Sequence, residues 1–354
     1  MAESESRLAD SPEFPPEIPD GRPLLTIIKE NDLPQLRHYI ASLPAEAILD
    51  RKRPYYEDPF YLAASEAKPE TLRILLELYA AASESPEPLP IEQQRGFSLL
   101  HAACRTANID TVRFILDSQE SQENQLSVVL GKANLHGRDH KTERTPILEA
   151  AASLQQLQLD AEEAVDDGAD RNQWVRNRIM KAEQLVEFLL DKGCSAKDTA
   201  PPFQNDVGAG RQPRDSVLGL AVSHAGKALV QRLIDQGADV YLQHQHFHDT
   251  TTALVQFGEG KERVHGVTTL HMASLFRNAD VVKLLLEYDH QHRNKTGPDL
   301  VSSHDTNGRL PLHWAAAGPG LDECKLPDEE IGVKITQTIG LLLSSKSRQH
   351  KPPR

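Results

Sequence analysis

The chain has 354 residues, a net charge of −13 and only 5% aromatic residues. A core built mainly from Leu, Ile, Val and Ala suits packed helices better than a large β-sandwich, which favours β-branched and aromatic side chains. The 52 acidic residues outnumber the 39 basic ones, which argues against nucleic acid and anionic membranes as partners. No stretch of the sequence is long and apolar enough to predict a membrane-spanning helix.

The cysteines and the two ends of the chain indicate an intracellular protein. Three cysteines without a close pair do not predict a disulfide framework, and the polar, acidic start is unlike a secretory signal. We therefore expect a cytoplasmic or nuclear location. Neither end shows periodic apolar residues, so residues 1–20 are predicted to be a disordered acidic tail and residues 346–354 a loosely packed basic tail.

Between these tails, one short pattern recurs seven times. Each copy has an apolar segment with small residues, followed by a second segment whose apolar residues fall at helical spacing. The clearest copies are residues 96–104 followed by 112–116, and residues 266–273 followed by 281–286. One helix pair cannot bury its apolar stripe alone, so neighbouring copies must stack. The sequence therefore predicts an all-α solenoid of stacked helix-turn-helix units over residues 21–345.

The recurring pattern resembles the ankyrin repeat, in which Gly-x-Thr-Pro-Leu-His-x-Ala-Ala is followed by Val-Val-x-x-Leu-Leu. Its third and sixth copies match almost fully. The intervals between equivalent positions run from 36 to 71 residues, against a family period of about 33. We therefore expect insertions: a helical hairpin at 152–183 and loops at 198–214, 242–265 and 318–332. The motif histidine is kept as His101, His271 and His313, where the resemblance implies hydrogen bonds around the turn and to the adjacent repeat.

The resemblance implies a non-catalytic protein-binding module or scaffold that holds a partner on the concave face of the repeats. In the family, contacts come from the residue before the motif threonine and from the two residues after the alanine pair. In this sequence the implied contact residues are Phe97, Arg105, Thr106, Arg144, Asp215, Ser223, His224, Val267, Leu275, Phe276 and Arg309. We expect a monomer that binds protein and uses no cofactor, metal, nucleic acid or membrane.

Two other functions fit the sequence. The chain could be the repeat portion of a larger regulatory or ubiquitin-ligase-adaptor protein. It could also be a metal-dependent enzyme that uses His244, His246 and His248, since alternate residues of an extended strand share a face. Zinc sites normally combine Cys and His at characteristic spacing, and no cysteine lies nearby. The simpler interpretation is that these histidines lie in a solvated loop.

Leu275 and Phe276 are the most specific candidates for the partner-binding surface. Two adjacent large apolar residues occupy positions that are usually polar, as in the Ser223-His224 pair of the fifth copy. If they are exposed, they would supply an apolar anchor of the kind that dominates interfaces. Alternatively, the insertion at 242–265 folds back over them and makes them part of the core.

Overall fold

The structure is a computed structural model that describes residues 23–42, 55–82, 89–120, 125–155, 168–202, 212–248, 262–292, 299–318 and 328–349. A helix pair lies at each of the seven predicted positions, and we number these pairs as repeats one to seven. The chain divides into two bodies, one containing residues 1–99 and 113–133 and the other containing residues 100–112 and 134–354.

The helices of the first three repeats alternate with short connecting segments. The helices up to residue 130 are α1 (Leu24–Lys29), α2 (Leu33–Ser42), α3 (Pro59–Ser65), α4 (Pro69–Ala82), α5 (Ile91–Arg95), α6 (Leu99–Arg105), α7 (Ile109–Glu120) and α8 (Gln125–Leu130), with a 3-10 turn at Tyr55–Glu57. Repeats one, two and three consist of α1–α2, α3–α4 and α6–α7. The helices α5 and α8 lie in connections where the sequence pattern predicted no element.

The last four repeats contain longer helices and two short antiparallel hairpins. The helices are α9 (Pro146–Ser153), α10 (Gly168–Asp191), α11 (Val217–Ala221), α12 (Lys227–Asp235), α13 (Thr269–Leu275), α14 (Ala279–His292), α15 (Pro311–Ala317) and α16 (Asp328–Gln349). The strands are β1 (Thr199–Ala200), β2 (Asp215–Ser216), β3 (His244–His248) and β4 (Glu262–Val267). β1 pairs with β2 and β3 pairs with β4.

Local chemistry explains where the first helix of several repeats begins. Pro59, Pro146 and Pro311 start α3, α9 and α15, where a missing N–H costs no hydrogen bond. The side chain of Asp58 caps α3 by accepting from the Phe60 amide at 2.9 Å. The helices α11 and α13 are capped in the same way by a serine and a threonine.

In the first body, α1 packs on α3, while α4 packs against α2, α3 and α8. Phe60 of α3 is fully buried and meets Tyr79 of α4 edge to face, with 6.1 Å between ring centroids. The guanidinium of Arg95 lies over the Phe60 ring and pairs with the Asp58 carboxylate at 2.9 Å. This pair links α5 to the start of α3, which explains why the short connecting helix is ordered.

In the second body, the helices form two rows. The first helices α9, α11, α13 and α15 pack side by side in that order, and the second helices α12, α14 and α16 form the row behind them. All seven residues of α13 are buried, because this helix contacts α11, α14 and α15. The repeats of this body therefore bury one another's apolar faces, as repeat architectures require.

The predicted helical hairpin at 152–183 is described only in part. The helix α9 ends at Ser153 and two turn residues follow it, so α9 does not continue into the predicted hairpin. The returning helix is present and long, because α10 begins at Gly168 and runs for 24 residues. Residues 156–167 lie outside the described part of the chain.

The predictions for the other insertions and for the C-terminal tail also need correction. The loop expected at 242–265 forms the hairpin of β3 and β4, and the loop at 198–214 contains β1 and ends beside β2. The helix α16 starts inside the loop predicted at 318–332 and extends into the tail predicted from residue 346. The predicted tail at 1–20 lies outside the described residues.

Candidate protein-binding surface

Four of the eleven implied contact residues are buried, so the expectation that they are exposed is wrong. Phe97, Ser223, Val267 and Leu275 have exposed fractions of 6%, 1%, 0% and 6%. Phe97 packs edge to face on Tyr61, with 5.6 Å between ring centroids. These side chains belong to the interior and are not available to a partner.

Each of the other three buried residues has a local reason for its burial. The Ser223 hydroxyl donates to the Leu220 carbonyl oxygen at 2.8 Å and so turns back on the preceding helix α11. Val267 lies in β4 and is paired with His244 of β3. Leu275 ends α13, the helix that is buried along its whole length. The sequence pattern could not show this, because burial depends on the neighbouring repeats.

The other seven residues remain partly exposed, and three of them belong to one ion-pair network. Arg105 of repeat three lies 3.1 Å from Glu149 of repeat four, and Arg144 lies 3.8 Å from the same carboxylate. Arg144 also reaches Asp215, just before repeat five, at 2.8 Å, and Arg214 lies 3.1 Å from Asp215. We call Arg105, Glu149, Arg144, Asp215 and Arg214 the ion-pair ladder.

The ion-pair ladder is partly withdrawn from solvent. The Glu149 side chain is 0% exposed, while the side chains of Arg105, Arg144 and Asp215 are 21%, 18% and 15% exposed. A buried carboxylate is costly unless cations and hydrogen bonds compensate it. Here two guanidinium groups do so, together with the Thr142 hydroxyl, which donates to Glu149 at 2.5 Å. The ion-pair ladder therefore holds its charged side chains in place while Arg105, Arg144 and Asp215 remain partly exposed to solvent.

Sequence reasoning missed Glu149 and Arg214 as members of this surface. The available signal was Glu149 itself, a charged residue within the otherwise apolar α9. A carboxylate in such a helix requires a partner when it is buried. Its partners Arg105 and Arg144 had already been selected, but only as separate contact positions.

His224 and Phe276 form a second part of the candidate surface. Their rings lie 4.9 Å apart between centroids and are tilted by 60°, which places repeat five beside repeat six. Burial lowers the pKa of His224 to about 4, so the imidazole is neutral at neutral pH. Phe276 is therefore not an isolated exposed side chain, because it packs on a neutral aromatic ring.

Arg309 and Thr106, the remaining two contact residues, are also tied to the protein. Arg309 lies 3.8 Å from Asp305, whose carboxylate also accepts from the Trp314 indole N–H at 3.0 Å. The backbone carbonyl of Thr106 accepts from the Arg178 guanidinium on α10. All seven partly exposed contact residues lie in the second body.

His271 makes both of the hydrogen bonds that the resemblance implies for a motif histidine, and His101 makes the bond to the next repeat. His271 accepts at Nδ1 from the Thr268 amide at 3.1 Å, and its Nε2 lies 3.1 Å from the Arg309 carbonyl oxygen of the next repeat. His101 reaches the Gly137 carbonyl oxygen at 3.1 Å. Burial lowers the pKa of both imidazoles, to about 4 for His271, so they are neutral.

Of the three histidines considered as metal ligands, the structure describes the side chain of His244. His244 is buried with 4% exposure, so the solvated-loop interpretation is wrong for this residue. Among the residues that the structure describes, no group of three or more His, Cys, Asp or Glu side chains is placed to hold a metal ion. The side chains of His246 and His248 lie outside that set. No helix in the described ranges is long and apolar enough to cross a membrane.

Comparison with known families finds ankyrin repeats in the second body. Residues 218–326 match the family model for ankyrin repeats in three copies, a range that begins in α11 of repeat five and ends before α16 of repeat seven. This part of the chain therefore carries ankyrin repeats, which confirms the resemblance and the mostly helical ankyrin fold predicted from the sequence. No curated protein matches the chain at a significant level.

Among solved structures, the chain is similar to the ankyrin repeat domain of Bcl-3, described as a unique member of the IkappaB protein family. The two are 17% identical, and the alignment covers 91% of this chain and 98% of that one with a TM-score of 0.39. A similarity at this level carries no argument about function.

Proposed function

We propose that this chain is a non-catalytic scaffold that binds a protein partner along the first helices and hairpins of repeats three to seven. Ankyrin repeats are protein–protein interaction modules, and the family match supports this general role. The finer assignment rests on one observation: the ion-pair ladder holds Arg105, Arg144 and Asp215 rigidly at partly exposed positions.

Rigid side chains favour binding for a physical reason. Ordering a flexible side chain at an interface costs about 0.5–1.5 kcal/mol, and a side chain fixed before binding avoids most of this cost. Arg105 and Arg144 are each held through two or more nitrogen atoms. The contact set that we propose is Arg105, Thr106, Arg144, Asp215, His224, Phe276 and Arg309.

The proposed partner is a protein, and the proposed location is inside the cell. Cys104 and Cys194 are free and buried, which fits a reducing compartment. The excess of acidic residues disfavours nucleic acid as the partner. We propose that the chain acts as a monomer without a cofactor, as expected from the sequence.

The test compares partner capture by substitutions on and off the surface. Thr106→Glu places a carboxylate beside the ion-pair ladder without removing any member of it. Lys283→Glu, at an exposed position on α14, is the matched control. Capture from a cell extract followed by mass spectrometry should lose its specific partner with Thr106→Glu and keep it with the control. Unchanged capture by a folded Thr106→Glu protein would exclude this surface.

A further inference from the structure

Repeat six shows how a motif histidine joins a repeat to its neighbour. Thr268 caps α13, and its amide and hydroxyl lie 3.1 Å and 2.8 Å from His271 Nδ1. His271 Nε2 reaches the Arg309 carbonyl oxygen at 3.1 Å, just before repeat seven. A carbonyl oxygen can only accept, so Nε2 carries the proton and Nδ1 accepts. The neutral imidazole thus satisfies both the cap and the bond between the repeats.

Repeat five has no histidine at the equivalent position, which is occupied by Gly219. However, an imidazole is present there, because His244 of β3 extends into the space beside this glycine. A Cβ added to Gly219 would lie 2.9 Å from His244 Cε1 and 3.0 Å from His244 Nε2. The glycine therefore leaves room for a histidine that comes from the insertion.

His244 reaches the same two places as a motif histidine, namely the helix cap, through the cap hydroxyl, and the carbonyl just before the next repeat. Its Nε2 lies 2.6 Å from the hydroxyl of Ser216, which caps α11 as Thr268 caps α13. Its Nδ1 lies 3.2 Å from the Val267 carbonyl oxygen, just before repeat six. Val267 precedes Thr268 as Arg309 precedes the cap residue of repeat seven, so the acceptor is the equivalent one.

The two imidazoles use opposite nitrogen atoms. The Val267 carbonyl oxygen can only accept, so His244 donates from Nδ1, and its Nε2 accepts from the Ser216 hydroxyl. The Ser216 oxygen in turn accepts from the Gly219 amide at 2.9 Å. Every polar atom in this chain of bonds is satisfied when the His244 ring is neutral with its proton on Nδ1.

We infer that the insertion between repeats five and six is a latch: it supplies His244 as the missing motif histidine of repeat five. The latch joins three parts of the chain, namely the α11 cap, the β3–β4 hairpin and the entry to repeat six. A second contact supports this docking, since the Gln245 amide donates to the Pro213 carbonyl oxygen at 3.0 Å. Docking of the hairpin and stacking of repeats five and six are therefore coupled through one side chain.

The first test moves the imidazole from residue 244 in the insertion to residue 219, the motif position of repeat five. His244→Ala should lower the melting temperature and increase hydrogen exchange in the hairpin by about tenfold, because the hairpin loses its buried bonds. Gly219→His alone should be less stable than the wild type, since its ring competes with His244. The double variant Gly219→His with His244→Ala should regain thermal stability while exchange in the hairpin stays fast. His290→Ala, at an exposed site on α14, is the control.

These outcomes separate the latch from an ordinary buried histidine. If the double variant is less stable than His244→Ala, the imidazole at residue 244 does not replace a motif histidine. If His244→Ala exchanges as slowly as His290→Ala, the hairpin is not held by His244. Either result would overturn the inference.

The second test measures the tautomers of the two histidines and does not depend on a change in stability. Ring nitrogen chemical shifts of ¹⁵N-histidine-labelled protein at neutral pH report which nitrogen carries the proton, and His244→Ala and His271→Ala assign the two signals. The expected result is a proton on Nδ1 in His244 and on Nε2 in His271. The same tautomer in both rings, or a charged His244, would contradict the proposed bonding.

Discussion

The Arg105 guanidinium of repeat three lies 3.1 Å from the Glu149 carboxylate of repeat four, and the Glu149 side chain is completely buried. Arg144 approaches the same carboxylate and continues to Asp215 beside repeat five. Charged residues at implied contact positions thus link successive repeats to each other. The same residues provide the surface that we propose for the partner, so the effects of substitutions on stability and on binding must be measured separately.

Substitution of Glu149 should strongly reduce stability. Glu149→Ala leaves two arginines without their buried carboxylate, and breaking a buried ion pair costs about 3–5 kcal/mol. Denaturant unfolding should show this loss in the free energy of unfolding. Glu77→Ala is the control, because the Arg73–Glu77 pair is exposed and spans 3.7 Å, and such pairs contribute only about 0.3–0.5 kcal/mol. Similar losses for both variants would show that burial of Glu149 is unimportant.

Leu275 should behave as a core residue. Leu275→Ala creates a cavity in the buried helix α13, and such changes typically cost about 2–5 kcal/mol. Leu343→Ala on α16 removes the same atoms from a side chain that is 49% exposed, and we expect a change within about 0.5 kcal/mol. Thermal and denaturant unfolding measure both. A Leu275→Ala protein as stable as the control would restore the original expectation that Leu275 is exposed.

Gly266 should tolerate alanine less well than Gly308. Both residues have positive φ angles, 75° and 74°, so alanine is strained at either position. At Gly266 an added Cβ also lies 3.3 Å from the His304 carbonyl oxygen, whereas nothing lies within 4 Å at Gly308. We therefore expect both variants to lose about 1–2 kcal/mol from the strained backbone, with a further loss only for Gly266→Ala. Equal unfolding free energies would show that the backbone relaxes around the new methyl group.

Acidification should destabilise the fold below about pH 6.5. Burial lowers the pKa of His271 from 6.5 to about 4, so the unfolded state binds protons more readily than the folded state. The stabilisation is complete above pH 6.5 and is lost as the pH falls towards 4. This difference corresponds to about 3 kcal/mol for one imidazole. Unfolding free energies measured across this range should fall with pH, and less steeply in His271→Gln.

The helix pairs could be predicted because their signals are local. The helix α13 combines a threonine cap, a following turn and apolar residues at helical spacing within a few positions, and α14 continues the pattern. The histidine bonds of repeat six were also implied by the motif, since Thr268 and His271 lie three residues apart. By contrast, the end of α9 and the start of α16 were predicted wrongly, because both fall in insertions without a repeating pattern.

The sequence by itself determined that seven helix pairs would form, because each helix depends on capping and periodicity among neighbouring residues. Only the tertiary structure decided which of the implied contact positions are buried, and which residue takes the place of the motif histidine that repeat five lacks. Leu275 is buried because other repeats cover α13, and His244 meets Ser216 across 28 positions of sequence. These long-range contacts depend on how the repeats and insertions pack in three dimensions. The periodic spacing of apolar residues does not specify that packing.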